Sequence, residues 1–349
     1  MTTILAAGDH FILPALFEAA IRARAPAGAA LTFRHFQTPW PAVPFGDVAE
    51  VTEASGTEAQ MIAALEGADI MVANHAPLTE RIIAASRLKF AVIARGGVTN
   101  ANLAAATRAG LVISNAPGRN AAATAEHTLA LMLAVLRRIP DSHAELRGGT
   151  WRGDFYEYDK SGLELGAARL GLIGYGQIGS RVARMAAGFG ARIRVFDPYV
   201  DAGSLPDYVE PTDLDTLLGN SSIVSLHARA SAQTHHILNA AAIARMPAGG
   251  IVINCARGSL LDYGALCDAL DSGHLFGAGL DVFDQEPIPP GSRLLTARNL
   301  VITPHIAGAS RETAQTAARM AGEEVARYLA GEPLRHALNP LQGAAGVST

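Results

Sequence analysis

Apolar residues recur along the chain in two rhythms. Short runs of four or five, rich in valine, isoleucine and leucine, alternate with longer stretches whose apolar positions fall three and four residues apart. The first rhythm suits strands buried on both faces and the second suits the helices that cover them, so the order predicts parallel sheets built from strand–helix–strand units. Strands are expected at 3–7, 31–36, 69–73, 90–94 and 111–114, with helices over 14–25, 57–66, 79–86 and 101–109. The proline-rich stretch 38–44 reads as a loop. Pro117-Gly118 breaks the alternation, and an alanine- and leucine-rich helix over 121–138 leads into a second set. There six strands are expected, at 169–173, 192–196, 223–227, 250–254, 277–281 and 300–303, with a helix over 180–189. A last helix, 310–329, follows the completed second sheet and is expected to return to the first. The expected domains are therefore 1–116, 117–308 and a returning segment, 309–349, that completes the first.

One junction in this pattern carries chemistry. Gly174-Tyr175-Gly176-Gln177-Ile178-Gly179 stands between the strand at 169–173 and the helix that follows. At such a turn Gly174 permits the sharp reversal and Gly176 lets the backbone approach a pyrophosphate. Gly179 lets the helix pack on the sheet while its first amides face the phosphates. The next strand ends on Asp197, whose carboxylate can accept hydrogen bonds from ribose hydroxyls and would repel a 2′-phosphate. The expected cofactor is NAD(H) rather than NADP(H).

Composition narrows the setting. A chain of 349 residues, 49% hydrophobic and 17% charged, suits a compact protein of two ordinary domains. A net charge of −4 without runs of like charge gives no support to a nucleic-acid or anionic-membrane surface, so neither is an expected partner. Only Lys89 and Lys160 accompany the arginines, a bias that says little about partners. Cys255 and Cys267 stand apart from any Cys/His cluster with metal-ligand spacing, which predicts neither a disulfide framework nor a metal site. No apolar run approaches about 20 residues and the N-terminus reads as a strand, so the expected location is the cytoplasm.

Three loops after the strands of the second set hold ionisable groups: Asn254-Cys255-Ala256-Arg257-Gly258, Asp281-Val282-Phe283-Asp284-Gln285-Glu286-Pro287 and Thr303-Pro304-His305-Ile306-Ala307-Gly308. With Asn115-Ala116-Pro117-Gly118-Arg119-Asn120 and Ala125-Glu126-His127-Thr128-Leu129-Ala130-Leu131-Met132-Leu133, these patterns resemble the D-isomer-specific 2-hydroxyacid dehydrogenase family, phosphoglycerate dehydrogenase-like, over nearly the whole chain. The resemblance implies a Rossmann NAD-binding domain and a flavodoxin-like substrate domain, discontinuous in sequence, with a cleft between them. It implies hydride transfer between NAD(H) and C2 of a small 2-hydroxy or 2-keto acid. Arg257 would bind the substrate carboxylate and polarise the keto oxygen. His305 would exchange the proton, and Glu286 would orient the imidazole and raise its pKa. Asp281 resembles the acceptor for the nicotinamide carboxamide. Gln177, Ile178, Cys255, His305 and Gly308 are implied to lie against the cofactor. His227 resembles a position lining the same pocket, although an imidazole at a strand end could equally be packing there. A homodimer is implied as well.

The chain departs from the family at the loop expected to cradle the substrate carboxylate. Ala94-Arg95-Gly96-Gly97-Val98-Thr99-Asn100 carries an arginine where a glycine is usual, and Gly96 and Gly97 beside it. Extra positive charge there suggests a substrate with a second acidic or strongly polar group, unless Arg95 pairs with a nearby carboxylate and only shapes the loop. The aromatic segment 151–159 is longer than usual and reads either as dimer packing or as a wall of the site. With only a short stretch after the last helix, the C-terminal regulatory domain of some phosphoglycerate dehydrogenases, and the feedback control it brings, are not expected. Two competing readings stay open: an NAD(H)-sensing corepressor of the C-terminal-binding-protein type, and a formate or phosphite dehydrogenase on the same fold.

Overall fold

The computed structural model describes residues 1–40 and 45–339; residues 41–44 of the expected proline-rich loop and 340–349 of the expected tail lie outside the described residues. The chain divides into two units, Met1–Asn120 with Ala309–Thr349, and Ala121–Gly308.

The first unit opens β1 (Thr2–Gly8), α1 (Pro14–Arg22), β2 (Leu31–Gln37), and a hairpin of β3 (Gly46–Val48) and β4 (Val51–Ala54). It continues α2 (Glu58–Leu65), β5 (Ile70–Ala73), α3 (Glu80–Ala85), β6 (Phe90–Ile93), α4 (Leu103–Arg108) and β7 (Val112–Asn115). Five strands pair in the order β2-β1-β5-β6-β7, all parallel. The order in which strands are added reverses between β1 and β5, the switch point at whose carboxyl ends such sheets take ligands. The helices start where the sequence supplies caps: Thr57, Thr79 and Asn102 each accept a backbone N–H three residues on. Such a cap contributes about 0.5–2 kcal/mol. The hairpin was not expected, because β3 is three residues long and largely exposed, with no apolar alternation to read.

The second unit begins with α5 (Ala121–Leu136) and α6 (Ile139–Arg147). One helix was expected over 121–138; instead Arg138 adopts φ 50°, and Pro140 opens a second helix in its first turn. Then come β8 (Arg169–Ile173), α7 (Gly179–Gly188), β9 (Arg192–Phe196), β10 (Val209–Pro211), α8 (Leu214–Asn220), β11 (Ile223–Leu226) and α9 (Ala240–Arg245). The unit closes with β12 (Gly250–Asn254), α10 (Tyr263–Asp271), β13 (Leu275–Leu280) and β14 (Leu300–Ile302). The strands pair in parallel in the order β10-β9-β8-β11-β12-β13-β14. This is the dinucleotide-binding order with a seventh strand, against six expected. The missed strand is β10, too short and polar for a pattern to reveal. It sits at the edge, where its terminal Pro211 is tolerated, and Glu210 pairs with Arg194 across the register at 3.0 Å.

Helix α11 (Arg311–Ala330) belongs to the first unit and lies on α1. A side chain at Gly322 would stand 2.7 Å from the Ala20 carbonyl, so glycine is what lets the two helices meet. In each unit, buried aliphatic clusters cover both faces of the sheet. No helix among the described residues is long and apolar enough to cross a membrane.

Candidate active site

The glycine turn follows β8 directly. Gly174 takes φ 100°, and a Cβ there would stand 2.6 Å from the Ala228 amide nitrogen. A Cβ at Gly179 would collide with the Gly174 carbonyl, so the first turn of α7 can lie against the strand end only without one. Gly176 faces open space and is exposed, as is Gln177, while Ile178 packs onto the core beneath. Exposed backbone therefore precedes a helix N-terminus, which suits a phosphate-bearing ligand. Asp197 closes the turn from β9: its Oδ2 accepts the Tyr175 N–H at 2.7 Å and its Oδ1 the Tyr199 N–H at 2.9 Å. His227, one residue past β11, lies beside Gly179 with its Nε2 bonded to Ser225 Oγ at 2.9 Å. Burial holds its pKa down to about 4, so the ring is neutral, and its Nδ1 has no partner.

The three ionisable loops meet at the carboxyl ends of β12, β13 and β14. Asn254, fully buried at the end of β12, accepts the Ala256 N–H and donates to the Arg257 carbonyl, both at 3.0 Å, which folds that loop into a tight arch. A side chain on Gly258 would overlap the Phe283 carbonyl, so glycine brings the Arg257 loop against the loop after β13. Tyr263 braces the same junction by donating to the Val282 carbonyl at 2.6 Å. Arg257 itself is exposed, donates only to the Ala256 carbonyl, and has no carboxylate in ion-pair range among the described residues. Cys255 is 5% exposed, and burial pushes its thiol up to about 12, so it stays protonated at neutral pH.

Glu286 accepts the Phe283 N–H with Oε1 at 2.9 Å and pairs with His305 Nδ1 through Oε2 at 2.7 Å. An ionised carboxylate only accepts, so Nδ1 carries the proton and Nε2 is the nitrogen left for a ligand. The Glu286 hydrogen bond raises the His305 pKa, against partial burial and the nearby Arg257 charge. His305 also holds φ 55°, a strained conformation for a residue with a Cβ. Asp281 supplies the clamp. It is 1% exposed; Oδ1 accepts Thr303 Oγ1 at 2.5 Å and the Ile306 N–H at 2.9 Å, while Oδ2 accepts the Ala307 N–H at 2.7 Å. The bonds straddle His305. Since Thr303 donates to Asp281, it must accept from His127, whose Nε2 lies 2.9 Å away on α5. The sequence offered Asp281 as a ligand acceptor; the fold commits at least three of its lone pairs to the His305 loop. Gly308 ends this loop and the unit, half-buried.

Arg95, Gly96 and Gly97 belong to the first unit, where the two glycines are exposed. The surplus charge expected at Arg95 is absent. Its guanidinium is ion-paired with Glu53 and also donates to the Glu53 carbonyl at 3.2 Å; Glu53, at φ 50°, turns both groups towards it. The same carbonyl bonds His75 Nδ1 at 3.0 Å, and His75 stacks on Phe45 at 3.7 Å with Trp40 edge-on to both. Four residues with defining roles went unread: Asn254, His127, Thr303 and Glu53. Only Asn254 left a signal, a polar residue at the end of an apolar run.

Comparison with known proteins agrees with this geometry. Residues 129–307, just over half of the chain, match the sequence model of the D-isomer specific 2-hydroxyacid dehydrogenase NAD-binding domain. D-3-phosphoglycerate dehydrogenase of Mycobacterium bovis is 36% identical over 298 residues, 84% of this chain and 56% of that protein. The chain thus spans little more than half the length of that relative. Glyoxylate reductase of Korarchaeum cryptofilum is 37% identical over 254 residues, covering 71% of this chain and 75% of that one. Among solved structures, the TT0316 protein of Thermus thermophilus superposes with a TM-score of 0.78 at 32% identity, covering 97% of this chain and all of that one. An NAD-binding domain matched across half the sequence, and relatives above 30% identity across most of it, place the chain in the D-isomer-specific 2-hydroxyacid dehydrogenase family.

Proposed function

We propose that the protein is an NAD-dependent 2-keto acid reductase and D-2-hydroxyacid dehydrogenase acting on a small, polar substrate. The observation that carries the reading is the His305–Glu286 pair, held at 2.7 Å on a clamped loop with the unpaired Arg257 guanidinium in electrostatic reach. The glycine turn fits the cofactor: exposed backbone at Gly176, helix amides behind it, and Asp197 closing the end of β9. NAD(H) held there supplies or accepts the hydride at C2.

Everything else falls to the chain's own groups. Arg257 offers a permanently charged planar fork to the substrate carboxylate and the keto oxygen, a better match than an ammonium. In the first unit, Gly96 and Gly97 offer exposed backbone amides suited to a carboxylate. His305 Nε2 gives its proton to the oxygen as the keto group is reduced and takes it back in oxidation. Glu286 favours imidazolium, so reduction, which needs the charged ring, slows as pH rises through the raised pKa. Oxidation, which needs the neutral ring, gains over the same range.

Two copies pair through α6 and the segment after it. Helix α6 buries none of its residues, and Ile139, Leu146, Trp151 and Tyr156 stand exposed, while Phe155 is held between the Arg138 and Arg152 guanidiniums. Exposed large apolar side chains gathered in one stretch of chain suit a partner.

The decisive experiment is turnover of glyoxylate, hydroxypyruvate, pyruvate, 2-ketobutyrate, branched 2-keto acids and phosphohydroxypyruvate with NADH and with NADPH. Reduction of at least one, faster with NADH, is expected. NADH binding without turnover of any would replace the enzyme by an NAD(H)-sensing protein.

A further inference from the structure

At the carboxyl ends of β1, β5, β6 and β7 one guanidinium has no carboxylate in direct contact among the described residues. This edge, beside the reversal between β1 and β5, is where open α/β sheets take ligands. Asp9 follows β1 and is fully buried, its Oδ1 accepting the Phe11 and Ile12 N–H groups at 2.8 Å. Asn74 follows β5, also fully buried, and donates to Asp9 Oδ2 at 2.7 Å. Arg119, four residues past β7, donates through Nη2 to Asn74 Oδ1 at 3.4 Å and lies over the Phe11 ring. Its Nη1 is sealed from solvent and has no acceptor. No carboxylate stands within ion-pair distance of it among the described residues. Burial and then repulsion from Arg95, against the attraction of buried Asp9, pull its pKa down to about 10, which leaves it charged at neutral pH.

The other cations of the cluster are accounted for. Arg95 is neutralised by Glu53, and His75, its pKa pressed down to about 4 by burial and then by Arg95, is uncharged. A buried cation with an unfilled donor is costly to keep unless something fills it. The bond to Asn74 is long, so the fork can turn to an incoming anion with little loss.

We propose that Arg119 receives a second anionic group of the substrate, so that the preferred 2-keto acid is a dianion carrying a phosphate or a second carboxylate. The proposal rests on the reductase reading for its substrate and on the first unit alone for its receptor. Within the first unit the exposed Gly96–Gly97 amides are offered to the carboxylate next to C2, and Arg119 takes the far end.

The test compares kcat/KM for phosphohydroxypyruvate, oxaloacetate and pyruvate in the wild type, Arg119→Leu, Arg119→Lys and Arg95→Leu. Arg119→Leu should lose about ten- to a hundred-fold on the dianion it serves, and less than about three-fold on pyruvate, with partial rescue by lysine. Loss on phosphohydroxypyruvate alone identifies a phosphate receptor, and loss on oxaloacetate alone a carboxylate receptor. Arg95→Leu should depress all three alike, because its partner is Glu53. Equal losses on pyruvate and the dianions in Arg119→Leu, or none, overturn the proposal. Calorimetric binding of inorganic phosphate and malonate gives a readout without turnover: wild-type binding that disappears in Arg119→Leu upholds the receptor even if no keto acid is reduced, in which case the reductase reading alone falls.

Discussion

The crevices at the carboxyl ends of the two sheets are built by different means. That of the second unit is shaped largely by backbone: glycines at 174, 179 and 258 occupy places where a Cβ would strike main chain, buried Asn254 bonds to an amide and a carbonyl of its own loop, and buried Asp281 takes two amides of the loop after β14. That of the first unit is shaped by side chains meeting side chains over long sequence separations, Arg95 with Glu53 and Arg119 with Asn74 and, through it, Asp9. Backbone-shaped sites tolerate little change anywhere in the loop, whereas side-chain-shaped sites can be retuned one residue at a time. The first should therefore carry the chemistry and the second the choice of substrate.

The sharpest way to break this division is at His305. His305→Ala should lower kcat by about 10²–10⁴-fold while leaving NADH affinity nearly unchanged, measured by fluorescence titration. Glu286→Gln removes the cause of the raised pKa, so the alkaline limb of reduction should move to lower pH; an unmoved limb would mean that the pair does not set the proton donor. A smaller effect is expected at Asp197. Loss of its charged hydrogen bonds, worth about 1.5–3 kcal/mol in such sites, should raise the KM for NADH about ten- to a hundred-fold in Asp197→Ala and narrow the preference over NADPH. Equal use of both cofactors by the wild type would refute the assignment at the outset.

The smallest expected effect tests how far the second site depends on groups beyond its own loops. His127 reaches His305 only through Thr303 and Asp281. His127→Leu leaves Thr303 with an unmet acceptor and should cost a few-fold in kcat, about 1 kcal/mol, with the reduction limb shifted slightly to lower pH. His127→Gln, which keeps a donor, should restore part of both. A fall in thermal stability with an unaltered pH profile would reduce His127 to a packing role.

The same contrast explains what could be read in advance. The glycine turn was legible because its requirements are local: a left-handed residue, an open backbone and a helix start within six positions. The strands were legible because parallel strands buried on both faces leave unbroken apolar runs. Strand β10 and the β3–β4 hairpin were not, being short and polar at sheet margins. Pairing of Arg95 with a carboxylate was one of two open readings, but its partner was not legible, because Glu53 lies 42 positions away and approaches through a backbone turn that no residue type signals. Asp281 was legible as a polar residue at a strand end, but whether such a carboxylate faces a ligand or its own chain depends on where the loop returns.

The protein has two tryptophans, and the fold puts them to separate uses as natural fluorophores. Trp40 packs edge-on to Phe45 and His75 in the first unit, at 5.1 and 6.4 Å, near the loops that hold Arg95. Trp151 lies 82% exposed just beyond α6. Replacing Trp151 with phenylalanine leaves an emission that reports only on the aromatic wall of the first unit. Replacing Trp40 leaves a solvent-bathed indole whose spectrum should shift to the blue if a second copy covers it, as the proposed pairing requires. Two single-tryptophan proteins would thus separate, in one cuvette and without substrate turnover, the filling of a crevice from the pairing of subunits.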